Sequence, residues 1–407
     1  MADLGTALVT LSGPDRPGVT TQLFAALGAA VPADVLDVEQ VVIRGQLVLG
    51  VLLGPVSGAD DLLAVRRAAH EVADRVGMSV TVAAGAEEAD PRRVGRVHVT
   101  VLGRPLRPGV VAALAGRIAD LGANIDRIQR LSRYPVTSIE FEVSGADPED
   151  LRSALAAEAA TQAVDVAVEP SGLYRRAKRL VVMDVDSTLI QGEVIEMLAA
   201  RAGCLEQVAA VTEAAMRGEL DFAASLRARV ALLRGVPESA LDDVRREVLL
   251  SPGARTLVRT LKRLGYEVAV VSGGFTQVIE HLVRELGIDH SAANTLEVVD
   301  GVLTGGLVGA IVDRRGKANA LERFAAAAGV PLSQTVAIGD GANDLDMLAR
   351  SGMGIAFNAK PVVRDAADAS VTVPYLDAVL YLLGISREEV EEADAAEGTP
   401  TPAPPLD

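Results

Sequence analysis

Hydrophobic positions follow two different patterns on either side of residue 178. Before that point, short runs with a two-residue alternation, such as residues 138–143, separate stretches in which apolar residues recur every three or four positions. After it, short runs that are apolar throughout alternate with longer helical stretches. Alternation is typical of strands with one exposed face, and continuous apolar runs are typical of strands covered on both faces. The pattern therefore predicts an α+β region followed by an α/β region.

The α+β region contains an internal repeat. Residues 11–19 (Leu-Ser-Gly-Pro-Asp-Arg-Pro-Gly-Val) are echoed by residues 102–110 (Leu-Gly-Arg-Pro-Leu-Arg-Pro-Gly-Val), and each copy lies between a β-rich run and a helical period. The segments that follow complete the order βαββαβ, which is that of a ferredoxin-like fold. We expect one such domain at 1–88 and a second at 95–170, joined by an acidic, alanine-rich linker.

Three predicted strands of the α/β region end in polar residues. They are Leu180–Met183 before Asp184 and Asp186, residues 267–271 before Ser272, and residues 335–338 before Asp340. In a doubly wound parallel sheet the carboxyl ends of the strands meet at one crevice, so we expect these side chains to lie together. Two buried carboxylates one residue apart cost free energy unless a cation or a reaction uses them. The pattern therefore predicts a site at this edge.

The α/β domain is expected to span residues 178–386. Its interval of about 193–250 is helical throughout and contains no strand of the sheet, which predicts an inserted helical cap. Residues 387–407 are acidic and then rich in proline, and we expect this tail to be disordered.

Composition and charge narrow the class of function. The 407 residues are 49% apolar and carry a formal charge of −16, which argues against a nucleic-acid partner. Cys204 is the only cysteine, so the sequence predicts neither a disulfide framework nor a cysteine metal cluster. The sequence has no apolar run of about 18 residues, and Asp3 stands where a signal peptide has basic residues. We expect a cytoplasmic protein that binds a small molecule and no membrane.

Four sequence motifs occur in order in the α/β region. They are residues 184–188 (Asp-Val-Asp-Ser-Thr), Ser272 at a strand end, Lys317, and residues 339–344 (Gly-Asp-Gly-Ala-Asn-Asp). Together they are similar to the motifs of the haloacid dehalogenase superfamily, and with the helical cap they resemble its phosphoserine phosphatase family. The resemblance implies a Rossmann-like core and Mg²⁺-dependent hydrolysis of O-phospho-L-serine to L-serine and phosphate, the last step of serine biosynthesis.

The resemblance also implies roles for individual residues. Asp184 is the expected nucleophile that forms an aspartyl-phosphate, and Asp186 is the general acid and base. Asp184, Asp340 and the backbone carbonyl of Asp186 are the expected metal ligands, with Asp344 behind them. The residues expected to contact the substrate are Glu193, Met216, Phe222, Arg229, Ser272, Gly273, Gly274, Lys317 and Asn343. In this set Glu193 complements the ammonium group of phosphoserine, and Arg229 complements its carboxylate.

The two βαββαβ domains resemble the ACT domain. That resemblance implies an amino-acid effector, such as serine, bound near Gly18 and Gly109 in the two Arg-Pro-Gly loops. It also implies a homodimer or a higher homo-oligomer formed through paired sheets. For both glycines, a tight turn without any ligand is an equally good explanation.

Two other functions fit the same residues. One is hydrolysis of another small phosphomonoester, or transfer of the phosphoryl group to a second alcohol such as homoserine. The other is an amino-acid sensor whose phosphatase half is only a scaffold. The filled catalytic positions favour an enzyme.

Overall fold

The computed structural model describes residues 4–85, 96–172, 175–399 and 401. The chain divides into two compact units, Met1–Arg92 and Arg93–Asp407. The predicted linker between the first two domains falls mostly outside the described residues. Among the described residues, no helix combines the length and the apolar character that crossing a membrane requires.

The first unit has the predicted order βαββαβ. Its elements are β1 (Leu4–Pro14), α1 (Val19–Ala30), β2 (Asp34–Ile43), β3 (Gln46–Ser57), α2 (Gly58–Val76) and β4 (Ser79–Ala84). The antiparallel sheet has the strand order β2-β3-β1-β4, and the buried faces of both helices pack with it in one hydrophobic core. Val19, Leu23 and Leu27 are the buried residues of α1, as the helical period predicted. All ten residues of the edge strand β2 are exposed.

The second βαββαβ domain opens the second unit. Its elements are β5 (Val97–Gly103), α3 (Pro108–Asp120), β6 (Asn124–Ser132), β7 (Thr137–Ser144), α4 (Pro148–Gln162) and β8 (Asp165–Pro170). Val110, Leu114 and Ile118 are the buried residues of α3 and repeat the spacing seen in α1. The repeat in the sequence is therefore a repeat in the fold.

The remaining part of the second unit is the predicted α/β core. Its strands are β9 (Leu180–Met183), β10 (Glu267–Phe275), β11 (His290–Val299), β12 (Val302–Val308), β13 (Thr335–Gly339), β14 (Gly354–Phe357) and β15 (Ala369–Val371). They lie in the order β12-β11-β10-β9-β13-β14-β15, parallel except for the hairpin strand β12. Asp300 and Gly301 form the tight turn of that hairpin, with φ values of 51° and 74°. The doubly wound core is confirmed.

Eleven α-helices accompany this sheet in the described part of the chain. They are α5 (Val194–Ala202), α6 (Leu205–Met216), α7 (Phe222–Ala231), α8 (Ser239–Glu247), α9 (Ala254–Arg263), α10 (Thr276–Leu286), α11 (Arg314–Ala327), α12 (Leu345–Arg350), α13 (Pro361–Arg364), α14 (Val379–Leu382) and α15 (Arg387–Ala396). The first four of them form the insertion between β9 and β10. The two ends of the insertion are joined, because the Gln191 N–H donates to the Leu249 carbonyl at 2.8 Å and Ile190 bridges to Leu250.

The second βαββαβ domain and the core share one continuous sheet. Strand β8 lies against β15, where Ala167 faces Ala369. The buried carboxylate of Asp165 extends this contact, since its Oδ2 accepts from the backbone N–H of Thr372 at 2.7 Å and its Oδ1 accepts from Ser370 Oγ at 3.0 Å. The Asp165 side chain thereby satisfies the backbone N–H of Thr372, which follows the short strand β15.

One expectation from the sequence was wrong at this junction. The alternation in residues 138–143 predicted a wet face on β7, but Ser138 and Glu140 on that face are buried. Glu140 pairs with Arg175, which lies between the second domain and the core. A polar face is compatible with burial when a charged partner covers it.

The predicted disordered tail instead begins with helix α15. Ser386 and Glu389 form a reciprocal capping box at its start. The fully buried carboxylate of Asp394 accepts from Arg259 at 2.6 Å and from Arg263 at 3.2 Å, so the acidic residues are tethered to α9. Residues 402–407 lie outside the described part of the chain.

Candidate active site

The site lies at the carboxyl edge of the core sheet, where β9 runs between β10 and β13. Asp184 follows the last residue of β9 and donates its backbone N–H to the Ile338 carbonyl of β13 at 2.9 Å. The chain then turns at Ser187, whose φ is 58°. The end of β9 places Asp184 and Asp186 at the point where the strand order changes direction, which is where open α/β sheets bind ligands.

Asp184, Lys317 and Asp344 form a buried charged group. Lys317 Nζ lies 2.8 Å from Asp184 Oδ1 and 2.7 Å from Asp344 Oδ1, and Lys317 and Asp344 are fully buried. The other oxygen of Asp344 accepts from the Gly341 N–H at 3.0 Å. Helix α11 therefore delivers one cation between carboxylates that come from two different strand ends.

Asp186 is held by two donors. Its Oδ1 accepts from the Val194 N–H at 2.8 Å, and its Oδ2 accepts from Ser272 Oγ at 2.8 Å. The Gly274 N–H donates to Ser272 Oγ at 2.7 Å. A Cβ on Gly274 would lie 2.7 Å from Asp186 Oδ2, so only glycine fits beside this carboxylate. Ser272 and Gly274 thus lie within strand β10, which continues beyond its predicted end at residue 271.

Asp340 stands next to this group at the end of β13. One oxygen of each of Asp184, Asp340 and Asp344 lies within 4.8 Å of the others, close enough to share a metal ion. The Oδ1 of Asp340 accepts from Thr188 Oγ1 at 3.0 Å. A set of carboxylate oxygens without nitrogen or sulfur donors fits Mg²⁺ rather than a softer metal.

A pocket of about 660 Å³ opens above these residues, between the sheet edge and the helical insertion. Asp184, Asp186 and Asp340 line its floor, and Glu193 and Arg229 line the side formed by the insertion. Ser187 Oγ donates to Glu193 Oε1 at 3.3 Å. The buried Nε of Arg229 has no hydrogen-bond partner among the described residues. A buried guanidinium donor without a partner is costly unless a ligand supplies the acceptor.

Burial dominates the protonation of these groups. It raises the pKa of Asp184 well above its ordinary value, and the neighbouring carboxylate of Asp344 adds to the effect. Burial also raises the pKa of Asp186, that of Glu193 to about 7 and that of Asp340 to about 6. Burial alone would lower the pKa of Lys317, but Asp184 and Asp344 outweigh it and raise that pKa. The site therefore favours added positive charge.

The remaining predicted residues are placed as follows. Phe222, Gly273 and Asn343 line the pocket, and a Cβ on Gly273 would lie 3.1 Å from the Phe222 ring. Met216 is the last residue of α6, and the prediction for its side chain lies outside what the structure describes. Cys204 is buried and reduced, away from the pocket lining.

The two loop glycines differ from each other. Gly18 precedes α1 with a φ of 88°, a conformation that favours glycine, whereas Gly109 is the second residue of α3 and has no such requirement. A Cβ on either glycine would meet no atom within 4 Å. The left-handed turn explains Gly18 without any ligand, and open space remains beside both glycines.

Sequence reasoning missed several polar residues at the site. Arg314 and Lys360 line the pocket, and Thr188 contacts Asp340. Thr188 belongs to the first motif, and its place four residues after Asp184 was the available signal. Arg314 precedes Lys317 by one turn of α11, but no pattern in the sequence distinguishes it from its exposed neighbour Arg315.

Comparisons with known proteins agree with this geometry. Residues 181–349 match the haloacid dehalogenase-like hydrolases, and residues 5–83 and 97–169 each match the ACT domain. The chain is 61% identical over 394 residues to a phosphoserine phosphatase of Streptomyces coelicolor, which covers 97% of this chain and 95% of that protein. It is 54% identical over 395 residues to a phosphoserine phosphatase of Mycobacterium tuberculosis, which covers 96% of each.

A solved structure is also similar. The crystal structure of a probable phosphoserine phosphatase from Vibrio cholerae, in unliganded form, superimposes with a TM-score of 0.58 at 34% identity. The superposition covers 77% of this chain and 90% of the Vibrio cholerae chain. Fold, site and matches together define a hydrolase of the haloacid dehalogenase superfamily that carries two ACT domains. Within that superfamily, the chain belongs to the phosphoserine phosphatases.

Proposed function

We propose that this enzyme hydrolyses O-phospho-L-serine to L-serine and phosphate with Mg²⁺ as cofactor, in the cytoplasm, as a step of serine biosynthesis. The observation that carries the proposal is that one pocket combines groups suited to both ends of this substrate. Asp184, backed by Lys317, suits the phosphate, and Glu193 with Arg229 suits the amino acid. The names of the Streptomyces and Mycobacterium relatives support the same substrate.

In this proposal Asp184 is the nucleophile. One of its carboxylate oxygens bonds to phosphorus while the bond from phosphorus to the serine oxygen breaks, which leaves an aspartyl-phosphate. Lys317 places a positive charge beside the reacting carboxylate and the phosphoryl oxygens. Its pairing with Asp344 holds the ammonium group in position before the substrate arrives.

Asp186 is the proposed acid and base. It gives a proton to the departing serine oxygen and later takes one from the water that hydrolyses the aspartyl-phosphate. A carboxyl group whose pKa is raised by burial suits both steps. Ser272, which already donates to Asp186, is proposed to share its hydroxyl with a phosphoryl oxygen when substrate is bound, together with the Gly273 amide.

Mg²⁺ is the proposed cofactor because the nearby donors are carboxylate oxygens. Asp184, Asp340 and the backbone carbonyl of Asp186 would hold it, and Asp344 and Asn343 would orient these ligands. The ion supplies the positive charge that lets a carboxylate approach a phosphate dianion. Lys317 already forms ion pairs with both Asp184 and Asp344.

Glu193 and Arg229 are proposed to select the amino acid. The substrate carboxylate would satisfy the buried Nε of Arg229 as one of two parallel hydrogen bonds. The substrate ammonium would lie beside Glu193, whose pKa of about 7 falls when a cation approaches. Phe222, against Gly273, closes one side of the pocket and excludes water.

The direct test is phosphate release from O-phospho-L-serine, O-phospho-L-threonine and a sugar phosphate, each with Mg²⁺ and with a chelator. We expect phosphoserine to be strongly preferred and the chelator to abolish turnover. Equal rates on the three substrates would contradict the role of Glu193 and Arg229. They would favour a general phosphomonoesterase, and release of phosphate only in the presence of an alcohol acceptor would indicate phosphoryl transfer.

Arg229→Met tests the substrate-binding half directly. Because truncating one partner of a buried charged pair costs about 2–5 kcal/mol, kcat/KM for phosphoserine should fall by roughly 10²-fold or more. Arg227→Met is the matched control, since Arg227 is exposed on the same helix and does not line this pocket. The control variant should keep wild-type kcat/KM.

We also propose that serine or a related amino acid binds the ACT domains and that the chain forms a homodimer or a higher homo-oligomer. Strand β2 supports pairing of sheets, because it is an edge strand with exposed apolar residues, including Ile43 at 64% exposure. Light scattering on the full chain, with and without serine, tests both points. A monomer in both conditions, with no heat of serine binding by calorimetry, would contradict them.

A further inference from the structure

We propose that Thr188 is a positioning residue for the metal ligand Asp340, and that it sets the affinity of the enzyme for its divalent ion. Its hydroxyl donates to Asp340 Oδ1 at 3.0 Å and leaves the other oxygen of that carboxylate for a metal. Thr188 itself is fully buried. The inference rests on the proposed function, because it takes the metal site as given.

The three clustered carboxylates are fixed in different ways. Lys317 forms ion pairs with Asp184 and Asp344, at 2.8 and 2.7 Å. No ion pair joins Lys317 to Asp340 in the described part of the chain, and Thr188 supplies the side-chain hydrogen bond that Asp340 receives. Like charges within 4.8 Å of one another repel, so an unfixed carboxylate would turn away from the cluster. Thr188 therefore does for Asp340 what Lys317 does for the other two.

Thr188 is also held in place from behind. Its backbone carbonyl accepts from Ser251 Oγ at 2.6 Å, and the Ser251 N–H donates to the Leu189 carbonyl at 2.9 Å. Ser251 is buried at the point where the chain returns from the helical insertion. The hydroxyl of Thr188 is thus aimed at Asp340 by a segment anchored on both sides. Residues that hydrogen-bond to a metal ligand commonly contribute 10- to 100-fold to metal affinity.

Thr188→Val tests the proposal, because valine keeps the shape and removes only the hydroxyl. We expect Mg²⁺ and Mn²⁺ to bind the full-length variant about 10- to 100-fold more weakly than the wild type in calorimetric titrations. The stabilisation of the protein by added metal in thermal unfolding should shrink accordingly. Thr188→Ser, which keeps a hydroxyl, should restore affinity to within a few-fold of the wild type.

Thr260→Val is the matched control. Thr260 is a buried threonine of α9 whose Oγ1 has no hydrogen-bond partner among the described residues, so the same chemical change should leave metal affinity unaltered. A purely structural role for Thr188 would lower the stability of the metal-free protein in the valine variant without changing metal affinity. That result overturns the inference.

The metal titrations distinguish a failure of the proposed function from a failure of the proposed role of Thr188. If the wild-type enzyme binds neither Mg²⁺ nor Mn²⁺, the proposed function fails. If the wild type binds and Thr188→Val binds equally well, only the role of Thr188 fails. Should the valine variant not fold, Thr188→Ala removes the same hydrogen bond without a branched side chain, and wild-type affinity in that variant also overturns the inference. In kinetics, the concentration of Mg²⁺ for half-maximal activity should rise more than kcat at saturating metal falls.

Discussion

Two groups of buried charges in the second unit differ in how their carboxylates are paired. At the catalytic edge four carboxylates lie close together, those of Asp184, Asp186, Asp340 and Asp344, and Lys317 forms ion pairs with only two of them, Asp184 and Asp344. The second group lies between the second ACT domain and the core. There Arg175 pairs with Glu140 and, at 3.2 Å, with Glu169, and His98 Nδ1 lies 3.1 Å from Glu140. We call it the junction cluster.

This difference in pairing indicates a structural role for the junction cluster and a functional role for the catalytic edge. In the junction cluster Arg175 forms ion pairs with both carboxylates, which holds two domains together without a ligand. Excess negative charge at the catalytic edge is unfavourable without an added cation, and such destabilised groups are typical of sites that bind or react. Charge removal should therefore have opposite consequences in the two places.

The largest effect is expected for Asp184→Asn. Loss of the nucleophile should lower kcat on phosphoserine by roughly 10⁴-fold or more. The melting temperature of the metal-free protein should change little, because Asp344 still pairs with Lys317 and one unfavourable charge is gone. A variant with wild-type turnover would rule out the aspartyl-phosphate mechanism.

The opposite outcome is expected for Arg175→Met. Removal of this cation leaves Glu140 and Glu169 without their shared partner, which should lower the free energy of unfolding by about 3–5 kcal/mol. Denaturant unfolding measures this change, and kcat per folded molecule should remain that of the wild type. Arg315→Met removes an exposed arginine and should be neutral. Equal stability of the two variants would show that the junction cluster is not structural.

Asp165→Asn should have a smaller effect at the same junction. Asparagine has only one acceptor oxygen, so it cannot accept from both the Thr372 N–H and Ser370 Oγ, and a loss of about 1–3 kcal/mol is expected. Burial raises the pKa of Asp165, so the wild type loses stability as the pH rises, and the loss caused by the substitution should therefore be larger at low pH than at high pH. Urea unfolding at pH 5 and pH 7.5 would detect this difference.

The smallest effect is a pH dependence of the metal-free enzyme. The pKa values of Glu193, about 7, and Asp340, about 6, lie above those of the unfolded chain, so the folded state binds more protons between about pH 4 and pH 7. Stability is then highest below the unfolded pKa values and declines as the pH rises through the folded ones. With allowance for partial exposure, about 1 kcal/mol is expected.

Thermal unfolding between pH 4.5 and 8 measures this decline. Asp165 and Glu169 in or near the junction contribute with the same sign, because burial raises the pKa of both. Glu193→Gln should reduce only the part of the decline in stability that comes from the catalytic edge. Saturating Mg²⁺ should reduce the same part, because it favours the ionised carboxylates. A decline that neither change reduces would assign the effect to the junction instead.

Individual elements show which features could be predicted from the sequence and which could not. The strands that end at Asp184, Ser272 and Asp340 could be predicted because apolar runs and abrupt polar ends are local features. Glu140 could not be placed correctly, since alternation predicts which side of a strand is polar but not what covers that side. The acidic tail was misjudged for a similar reason. The residues that fold α15 onto the core, Arg259 and Arg263, lie more than 120 positions away from it.

The sequence by itself determined the two βαββαβ domains, the parallel core and the identity of the acids at its edge, because these depend on periodicity and on spacing along the chain. Only the tertiary structure decided which of the buried carboxylates form ion pairs, that the Thr188 hydroxyl donates to Asp340, and that the second ACT domain continues the catalytic sheet. Those features depend on contacts between distant segments, and a linear pattern carries no information about which segments will meet.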